Sequence, residues 1–196
     1  MIDVNTDIRL ESDRVLLRPL RAEDSEHLMP FALNEPQLWT YSLVQGGGRE
    51  NMLNYIKLAI DGRVSGTVFP FIIYDKSAQA YAGSTRFYDI QNHHLTTQLG
   101  FTWLGNAFQG TGLNRHMKWL MLDYAFREAR LERVEFRADM NNARSIAAMK
   151  SIGCVEEGIL RSNCTSPTGR RSSIVLSILK EEWESRVGDA LRASLR

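Results

Sequence analysis

The spacing of apolar residues changes along the chain between a period of two and a period near 3.6, and this predicts an ordered series of strands and helices. Seven strands are predicted by period-two or largely apolar runs, at 14–20, 68–74, 81–89, 97–104, 133–138, 155–160 and 174–179. Helices are predicted at 22–33, 49–61, 110–126 and 143–151, with a last helix from Glu181. The order β-α-α-β-β-β-α-β-α-β-β-α predicts an α/β (α+β) fold with a mixed central sheet flanked by helices.

The stretch from Thr97 to Phe126 joins a strand, a glycine turn and a helix. Glycine adopts positive φ freely and lets the backbone approach a ligand closely. Because a helix N-terminus exposes unpaired N–H groups and a partial positive charge, the turn predicts an anion site, most simply for phosphate. A tight turn without a ligand explains the same spacing. A Walker loop does not fit, since no lysine follows Gly110, and a dinucleotide fingerprint would need a glycine at Arg115.

Several segments in chain order carry a more specific pattern. They are Leu16-Leu17-Arg18-Pro19-Leu20 with Asp24, Phe108-Gln109-Gly110-Thr111-Gly112-Leu113, Asn142-Ala143-Arg144-Ser145, Ile152-Gly153 and Glu157-Gly158-Ile159-Leu160-Arg161. Together they resemble the Gcn5-related N-acetyltransferase (GNAT) family, in the branch of ribosomal-protein alanine acetyltransferases. The likeness extends from about Arg14 to Trp183.

The resemblance implies a mostly antiparallel sheet of about seven strands that splays between the fourth and fifth strands, 97–104 and 133–138, where the pantetheine arm of acetyl-CoA enters. Backbone amides of the glycine turn would hold the pyrophosphate, and the main chain of the fourth strand would pair with the arm. The implied cofactor-binding residues are Phe101, Trp103, Leu104, Gln109, Gly110, Thr111, Gly112, Leu113, Asn114, Asn142 and Lys150.

Roles in catalysis also follow from the resemblance. A main-chain N–H near Trp103 would stabilise the carbonyl oxyanion, and Ser145 would donate a proton to the leaving thiolate. Asn142, placed with them in the catalytic set, is explained equally well as the N-cap of the helix that follows it. The implied acceptor-pocket residues are Trp39, Tyr41, Arg86, Tyr88 and Gln98, with the glycines at 46–48 as a hinge. Aromatic residues packed in the core beside a plain flexible connection explain the 39–48 segment equally well.

The general base is in question because Gln98 stands where close relatives usually carry glutamate. A glutamine amide is not a useful proton acceptor. An α-amine with a pKa near 8 is about one-tenth neutral at pH 7, whereas a lysine amine near 10.4 is neutral only a few times in ten thousand. We therefore expect a low-pKa amine as acceptor, deprotonated through water or by Asp89, His93 or His94, unless another carboxylate replaces the missing glutamate.

Composition narrows the picture only slightly. With 196 residues the chain suits one acetyltransferase domain, 1–196, with a lead-in at 1–12 and a C-terminal helix at 180–196. The net charge of +1 gives no case for nucleic acid or membrane as a partner. Cys154 and Cys164 lack metal-ligand spacing, and His93-His94 lacks a third ligand, so no metal is expected. Cys154 is expected to be a small buried hydrophobe.

The predicted function is transfer of the acetyl group of acetyl-CoA to a primary amine, by direct attack in a ternary complex. The amine would belong to a protein or peptide N-terminus or to a small amino compound. An O-acetyl or other acyl-CoA transferase on the same fold is one alternative, and a weakly catalytic CoA-binding sensor or interaction module is another. Without a signal-peptide pattern, the protein is expected in the cytoplasm, with a homodimer as one assembly.

Overall fold

A computed structural model describes residues 1–195, and its centre is a single sheet of eight strands. The strands are β1 (Leu10–Glu11), β2 (Val15–Pro19), β3 (Val68–Asp75), β4 (Ala80–Gln91), β5 (Thr96–Leu104), β6 (Arg133–Asp139), β7 (Val155–Ser166) and β8 (Gly169–Leu179). Their spatial order is β1-β2-β3-β4-β5-β6-β8-β7. Within the described residues only β5 and β6 pair in parallel, and the other neighbours are antiparallel. The mixed, mostly antiparallel sheet is therefore confirmed.

Helices cover both faces of this sheet. They are α1 (Ser25–Asn34), α2 (Arg49–Val64), α3 (Leu113–Asp123) and α4 (Ala143–Ser151). A π-helical turn, Tyr124–Glu128, continues α3, and the chain ends in the helical segments Lys180–Glu182, Trp183–Val187 and Gly188–Ala193. No helix within residues 1–195 combines the length and apolar character that crossing a membrane requires.

Alternation along the strands gives the sheet two cores. On one face, α1 and α2 pack over Ile72 and Trp103 through residues such as Leu28 and Met52. On the other face, the neighbours of Ile72 in the strand, Phe71 and Ile73, join a larger cluster. That cluster includes Met117 and Met121 of α3, Met149 of α4 and Trp183 of the C-terminal segment. Because strand side chains alternate with a period of two, β3 serves both cores.

Three of the differences from the sequence prediction alter the sheet or the glycine turn. The strand β1 adds an eighth strand inside the predicted lead-in. The polar segment 161–173 lies between two predicted strands and is predicted as a loop, yet β7 and β8 run through it and meet in a tight turn, with Ser166 paired to Gly169. Exposed strands of a hairpin end carry polar residues on both faces, so they lack the alternation that marks a strand. Finally, α3 begins at Leu113 rather than Gly110, since Gly110 and Gly112 have φ of 75° and 87°.

Candidate functional site

The strands β5 and β6 are paired at one end and separated at the other. Thr96–Gln98 pairs with Arg133–Glu135, and beyond these residues the described backbone records no further pairing between the two strands. Two constraints draw them apart. β6 remains paired with β8 through Asp139, while β5 follows β4 through a bulge at Phe101, whose φ is 49°. A bulge bends its strand, so the predicted splay arises here.

A cavity of about 1550 Å³ fills the opening between the separated strands. It reaches from the glycine turn to the loop before α2. Its lining includes the following residues of the predicted site: Tyr41, Tyr88, Gln98, Phe101, Trp103, Leu104, Gln109, Gly110, Thr111, Gly112, Asn114, Asn142 and Ser145. The structure therefore brings most of the predicted site residues to one cavity.

The glycine turn presents backbone donors at one end of this cavity. The described residues provide no hydrogen-bond partner for the N–H groups of Gly110, Thr111 and Gly112. Around Gly110, an added Cβ would meet no heavy atom within 4 Å, so the space is open to a ligand. The N-terminus of α3 adds its partial positive charge, and Arg115 and Arg144 also line the cavity. These features fit a pyrophosphate group.

Side chains of the turn fix its position. The Gln109 side-chain amide donates to the Leu104 carbonyl at 2.7 Å, and its oxygen accepts from Arg144 at 2.6 Å. Gln109 thus ties the end of β5 to α4. Thr111 donates to the Phe108 carbonyl at 2.8 Å. Leu113, in contrast, is fully buried in the core, so only its backbone is available for the predicted cofactor contact.

The start of α4 borders the cavity on its other side. Asn142 caps the helix, because its side-chain oxygen accepts the Ser145 N–H at 3.1 Å. The expectation that Asn142 is an N-cap is therefore confirmed, and its side chain is engaged in that contact. Ser145 is half-buried and lines the cavity. Its backbone, not its hydroxyl, is used by the cap.

Near the paired end of β5, Gln98 contacts a carboxylate. Its side-chain amide donates to Asp89 at 2.8 Å, and both residues line the cavity. Tyr88 lies opposite Gln98 in the sheet, and burial raises the pKa of its hydroxyl to about 12, so it stays protonated. Asp89 is thus the predicted base candidate that reaches the cavity.

The two histidines are placed elsewhere. The rings of His93 and His94, in the β4–β5 turn, lie with centres 3.8 Å apart and are tilted by 46°, and neither residue lines the cavity. Of the predicted base candidates, the cavity lining therefore includes Asp89 and not the two histidines. Across residues 1–195, no group of three or more His, Cys, Asp or Glu is arranged to hold a metal ion.

Trp39 is not a pocket residue. It is 2% exposed and packs against Tyr55 and Trp103, with ring centres 5.9 and 5.0 Å away. A Cβ on Gly46 would lie 2.5 Å from the Trp39 ring, so close packing explains this glycine without a hinge. Tyr41 does line the cavity, and its hydroxyl donates to the Asn141 carbonyl at 3.3 Å. That bond holds the loop before α2 against the start of α4.

Two further predicted positions lie outside the cavity lining. Arg86 is 4% exposed, and its guanidinium lies 4.6 and 4.2 Å from the ring centres of Tyr55 and Phe101. It lies behind the pocket wall rather than in it, because those rings cover it. Lys150 is exposed and pairs with Glu156 at 2.7 Å. The assignment of Arg86 to the acceptor is therefore corrected, while that of Lys150 to the cofactor stays a prediction.

One cavity residue was missed from the sequence. Lys118 of α3 is 6% exposed, lines the cavity, and donates to the Thr102 hydroxyl at 2.9 Å. The signal was present in the helical spacing, because Lys118 lies three and four residues before the buried Met121 and Leu122. A cation on the apolar stripe of a helix is unusual and points to a special environment.

Cys154, expected to be a small buried hydrophobe, is buried in the larger core, and this is confirmed. Burial raises the pKa of its thiol to about 12, so it remains a neutral thiol. Cys164 is partly exposed and also free.

Comparisons with known proteins agree with this geometry. Residues 14–155 match the family model described as an acetyltransferase (GNAT) domain. The chain is 24% identical over 176 residues to the uncharacterized N-acetyltransferase p20 of Bacillus licheniformis, covering 89% of this chain and 97% of that protein. It is 28% identical over 113 residues to YdaF of Bacillus subtilis (strain 168), whose name proposes a ribosomal N-acetyltransferase; the match spans 58% of this chain and 60% of YdaF.

Among solved structures, the GCN5-related N-acetyltransferase from Brucella melitensis superposes with a TM-score of 0.89 at 22% identity. The superposition covers 97% of this chain and 86% of that one. At this identity the likeness shows the fold. Because the family model spans most of the sequence and the sheet has the matching splay, the chain belongs to the GNAT acetyltransferase family and is an N-acetyltransferase.

Proposed function

We propose that this enzyme transfers the acetyl group of acetyl-CoA directly to the α-amine of a peptide or protein N-terminus, with both substrates bound at once. The observation that carries the proposal is that the unpaired N–H groups of the glycine turn and the unpaired edge of β5 face one continuous cavity. The whole chain, 1–196, is proposed to act as one acetyltransferase domain.

On the cofactor side, the backbone of 109–114 would bind the diphosphate, and the unpaired edge of β5 would pair with the amide-bearing arm as an added strand. Acetyl-CoA supplies an activated thioester carbonyl. The chain contributes orientation, which converts a bimolecular encounter into a positioned one. A backbone N–H in or just after the bulge, from Phe101 to Trp103, is proposed as the oxyanion donor, since a bulge leaves backbone groups unpaired.

On the acceptor side, Asp89 is proposed as the proton acceptor for the incoming amine. Gln98 would hold that carboxylate in place, because its amide donates to it. Asp89 is exposed, and a carboxylate side chain is in general a weak base. A weak base suits an acceptor that already has a substantial neutral fraction, and an α-amine at about one-tenth neutral is such a group. Tyr41, Tyr88 and Gln98 would line the acceptor's path.

After transfer, Ser145 is proposed to protonate the leaving thiolate. A free thiol has a pKa near 8.5, so its thiolate can depart at neutral pH and the gain from an acid is modest. The chain is similar to YdaF, whose name proposes a ribosomal N-acetyltransferase, and this supports a protein N-terminus as the class of acceptor.

Calorimetry with coenzyme A tests the cofactor site. The chain offers a matched pair, Gly110→Glu and Gly110→Ala, since both add a Cβ at the same positive φ where no atom lies within 4 Å. Both variants share the backbone strain of about 1 kcal/mol. Only the glutamate places a negative charge beside the proposed diphosphate, so its affinity should fall at least tenfold below that of the alanine variant. Equal affinities, or no binding by the native chain, would refute the site.

Turnover separates a catalyst from a CoA-binding sensor. Release of free CoA from acetyl-CoA should be fast with a peptide whose N-terminus is free and slow with the same peptide carrying a blocked N-terminus and an internal lysine. If neither peptide stimulates CoA release although the protein binds CoA tightly, the CoA-binding sensor is favoured. The contact between Gln98 and Asp89 favours catalysis, because it retains a carboxylate where the family's glutamate is absent.

The place of action and assembly are also proposals. Both cysteines are free, which is compatible with the reducing cytoplasm in which we place the enzyme. A homodimer is proposed through the edge strand β7, where Val155, Ile159 and Leu160 are exposed.

A further inference from the structure

Lys118 differs from every other lysine of the chain. The other four lysines each form an ion pair with a carboxylate: Lys57 with Asp61, Lys76 with Glu11, Lys150 with Glu156 and Lys180 with Glu132. Lys118 is buried, and the partner recorded for its amine is the neutral hydroxyl of Thr102. A buried lysine without a counter-charge is costly to a fold, so its retention suggests a use.

The amine lies between the two separated strands. Its nitrogen is 2.9 Å from the Thr102 hydroxyl on β5 and 5.5 Å from the centre of the Phe136 ring on β6. Phe136 is the residue directly after the last β6 position paired with β5, and Thr102 follows the bulge. Lys118 therefore spans the opening near the point where pairing stops, within the cavity assigned to the cofactor.

The surroundings of this amine favour its neutral form. Burial lowers the pKa of Lys118 to about 7, and the one titratable group that acts on it from a neighbouring element is the Cys154 thiol. That thiol is itself uncharged near neutral pH. Thr102 in turn contacts the Thr85 hydroxyl of β4 at 2.7 Å, so the amine's hydrogen-bond partner is itself linked to another neutral group. The neutral fraction of Lys118 at pH 7 is then far larger than that of an ordinary lysine, which is neutral only about a few times in ten thousand.

We propose that Lys118 is a self-acetylation site, whose side-chain amine accepts the acetyl group of acetyl-CoA bound between β5 and β6. This inference rests on the proposed cofactor site. The amine nitrogen bonds to the thioester carbonyl carbon, the carbon–sulfur bond breaks, and coenzyme A leaves as the thiol after taking up the proton that the amine loses. No oxidant or reductant is needed. The product is an uncharged acetamide in the cofactor's path, so the modification limits further turnover.

The test incubates the full chain with acetyl-CoA labelled in its acetyl group, without an acceptor, and measures acetylation of each lysine by peptide mass mapping. Lys150 is the matched control, since it is exposed, lies on the helix bordering the same cavity and carries an ordinary carboxylate partner. We expect Lys118 to be labelled at least tenfold faster than Lys150 at pH 7. The rate at Lys118 should level off above about pH 8, because its amine is then largely neutral.

Three variants and one reagent separate the outcomes. Gly110→Glu should reduce labelling at Lys118 at least tenfold relative to Gly110→Ala, because the route passes through the bound thioester. Lys118→Arg should remove the label without moving it to another lysine. Acetic anhydride serves as an unbound acetyl donor. If anhydride modifies Lys118 but acetyl-CoA does not, or if Gly110→Glu labels as fast as Gly110→Ala, the inference is overturned.

The result also remains distinct from the proposed activity. Acetylation of Lys118 together with CoA release that stops at about one equivalent per chain and does not increase with peptide would support this inference and refute turnover. Peptide-dependent CoA release with Lys118 unmodified would do the reverse. The comparison of labelling at Lys118 and Lys150 uses only the native protein. It can therefore refute the inference even if one of the variants fails to fold.

Discussion

The two ends of the β5–β6 pair differ in how their polar groups are satisfied. At the paired end, backbone hydrogen bonds join Thr96–Gln98 to Arg133–Glu135. Arg133 also pairs there with Glu135 at 2.9 Å and with Glu157. At the separated end, the edge of β5 has no strand partner on its β6 side in the described structure. The buried amine of Lys118 there donates a hydrogen bond to the neutral hydroxyl of Thr102.

The paired end therefore acts as a structural joint between the two strands, whereas the separated end has the character of a ligand-binding site. Polar groups at the paired end are satisfied within the chain, so that end contributes to stability and offers little to a ligand. Polar groups at the separated end are left for something else to satisfy, and the chain bears the cost of holding them ready. Sites for ligands are often destabilising in this way. Removing the cation at each end, Lys118 or Arg133, should therefore change stability in opposite directions.

Replacement of Lys118 by methionine should give the largest effect. Methionine has a similar length without the charge, so the free energy of unfolding should rise by roughly 2 to 4 kcal/mol at pH 7. The folded pKa near 7 lies below the unfolded value near 10.4, so the unfolded chain binds more protons between these pH values. Native stability thus rises with pH across that window, and the advantage of the variant shrinks towards pH 10. Urea unfolding from pH 6 to 10 measures both.

Lys150→Met is the control for this substitution, because it removes an exposed ion pair and should change stability by less than about 1 kcal/mol at any pH. A Lys118→Met protein that is less stable than the native chain, with a difference that does not vary with pH, would show that the amine is well accommodated. The burial of Lys118 at the separated end would then carry no cost in the free energy of unfolding.

At the paired end, Arg133→Met should lower the free energy of unfolding by about 1 to 2 kcal/mol at pH 7. The substitution leaves Glu135 and Glu157 without the cation they share, while Arg137 still contacts Glu135. Lys57→Met is a suitable control, since Lys57 forms an exposed pair with Asp61 one helical turn away. Equal losses in the two variants would mean that the joint has no special role in holding the strands together.

Ser145→Ala tests the separated end through activity instead of stability. The cap of α4 uses the Ser145 backbone N–H, so the variant should keep the stability of the native chain. If the hydroxyl protonates the thiolate, kcat should fall about tenfold, equivalent to roughly 1.4 kcal/mol, with CoA affinity unchanged. Asn142→Ala should behave in the opposite sense, losing about 1 kcal/mol of stability with its cap. Full activity in Ser145→Ala would exclude the proposed role.

The cofactor side of the cavity was accessible from sequence because its main determinants are backbone features. Gly110 and Gly112 mark a turn that requires positive φ, and their spacing before an amphipathic helix survives as a local pattern. The order of strands and the position of the splay followed from motifs that extend along the chain. The extended β7–β8 hairpin escaped prediction because its polar tip has no periodicity to detect.

The acceptor side was less accessible because its side chains are placed by tertiary packing. The family resemblance assigned Trp39 and Arg86 to the pocket from their positions along the chain, yet the rings of Tyr55, Phe101 and Trp103 enclose them. Lys118 was overlooked for a related reason. Its burial depends on where α3 meets the separated strands, and neither the helix nor the strands alone determine that depth.

The smallest effect is expected at Glu157, where the paired end can be tuned by pH. Its hydrogen bond with Arg133, assisted by Ser177, lowers the pKa of Glu157 to about 2. A lowered folded pKa means that the stabilisation is present above the unfolded value near 4.5 and is lost as pH falls through about 2. Because the side chain is 38% exposed, solvent screening limits the gain to a few tenths of a kcal/mol. Glu157→Gln should therefore be slightly less stable than the native chain at pH 7 and equal to it near pH 2, as measured by thermal unfolding. If Glu157→Gln is still less stable than the native chain at pH 2, the contribution of Glu157 comes from hydrogen bonding. The ion pair between Glu157 and Arg133 would then contribute nothing to the free energy of unfolding, and charge pairing would not distinguish the paired end from the end that holds Lys118.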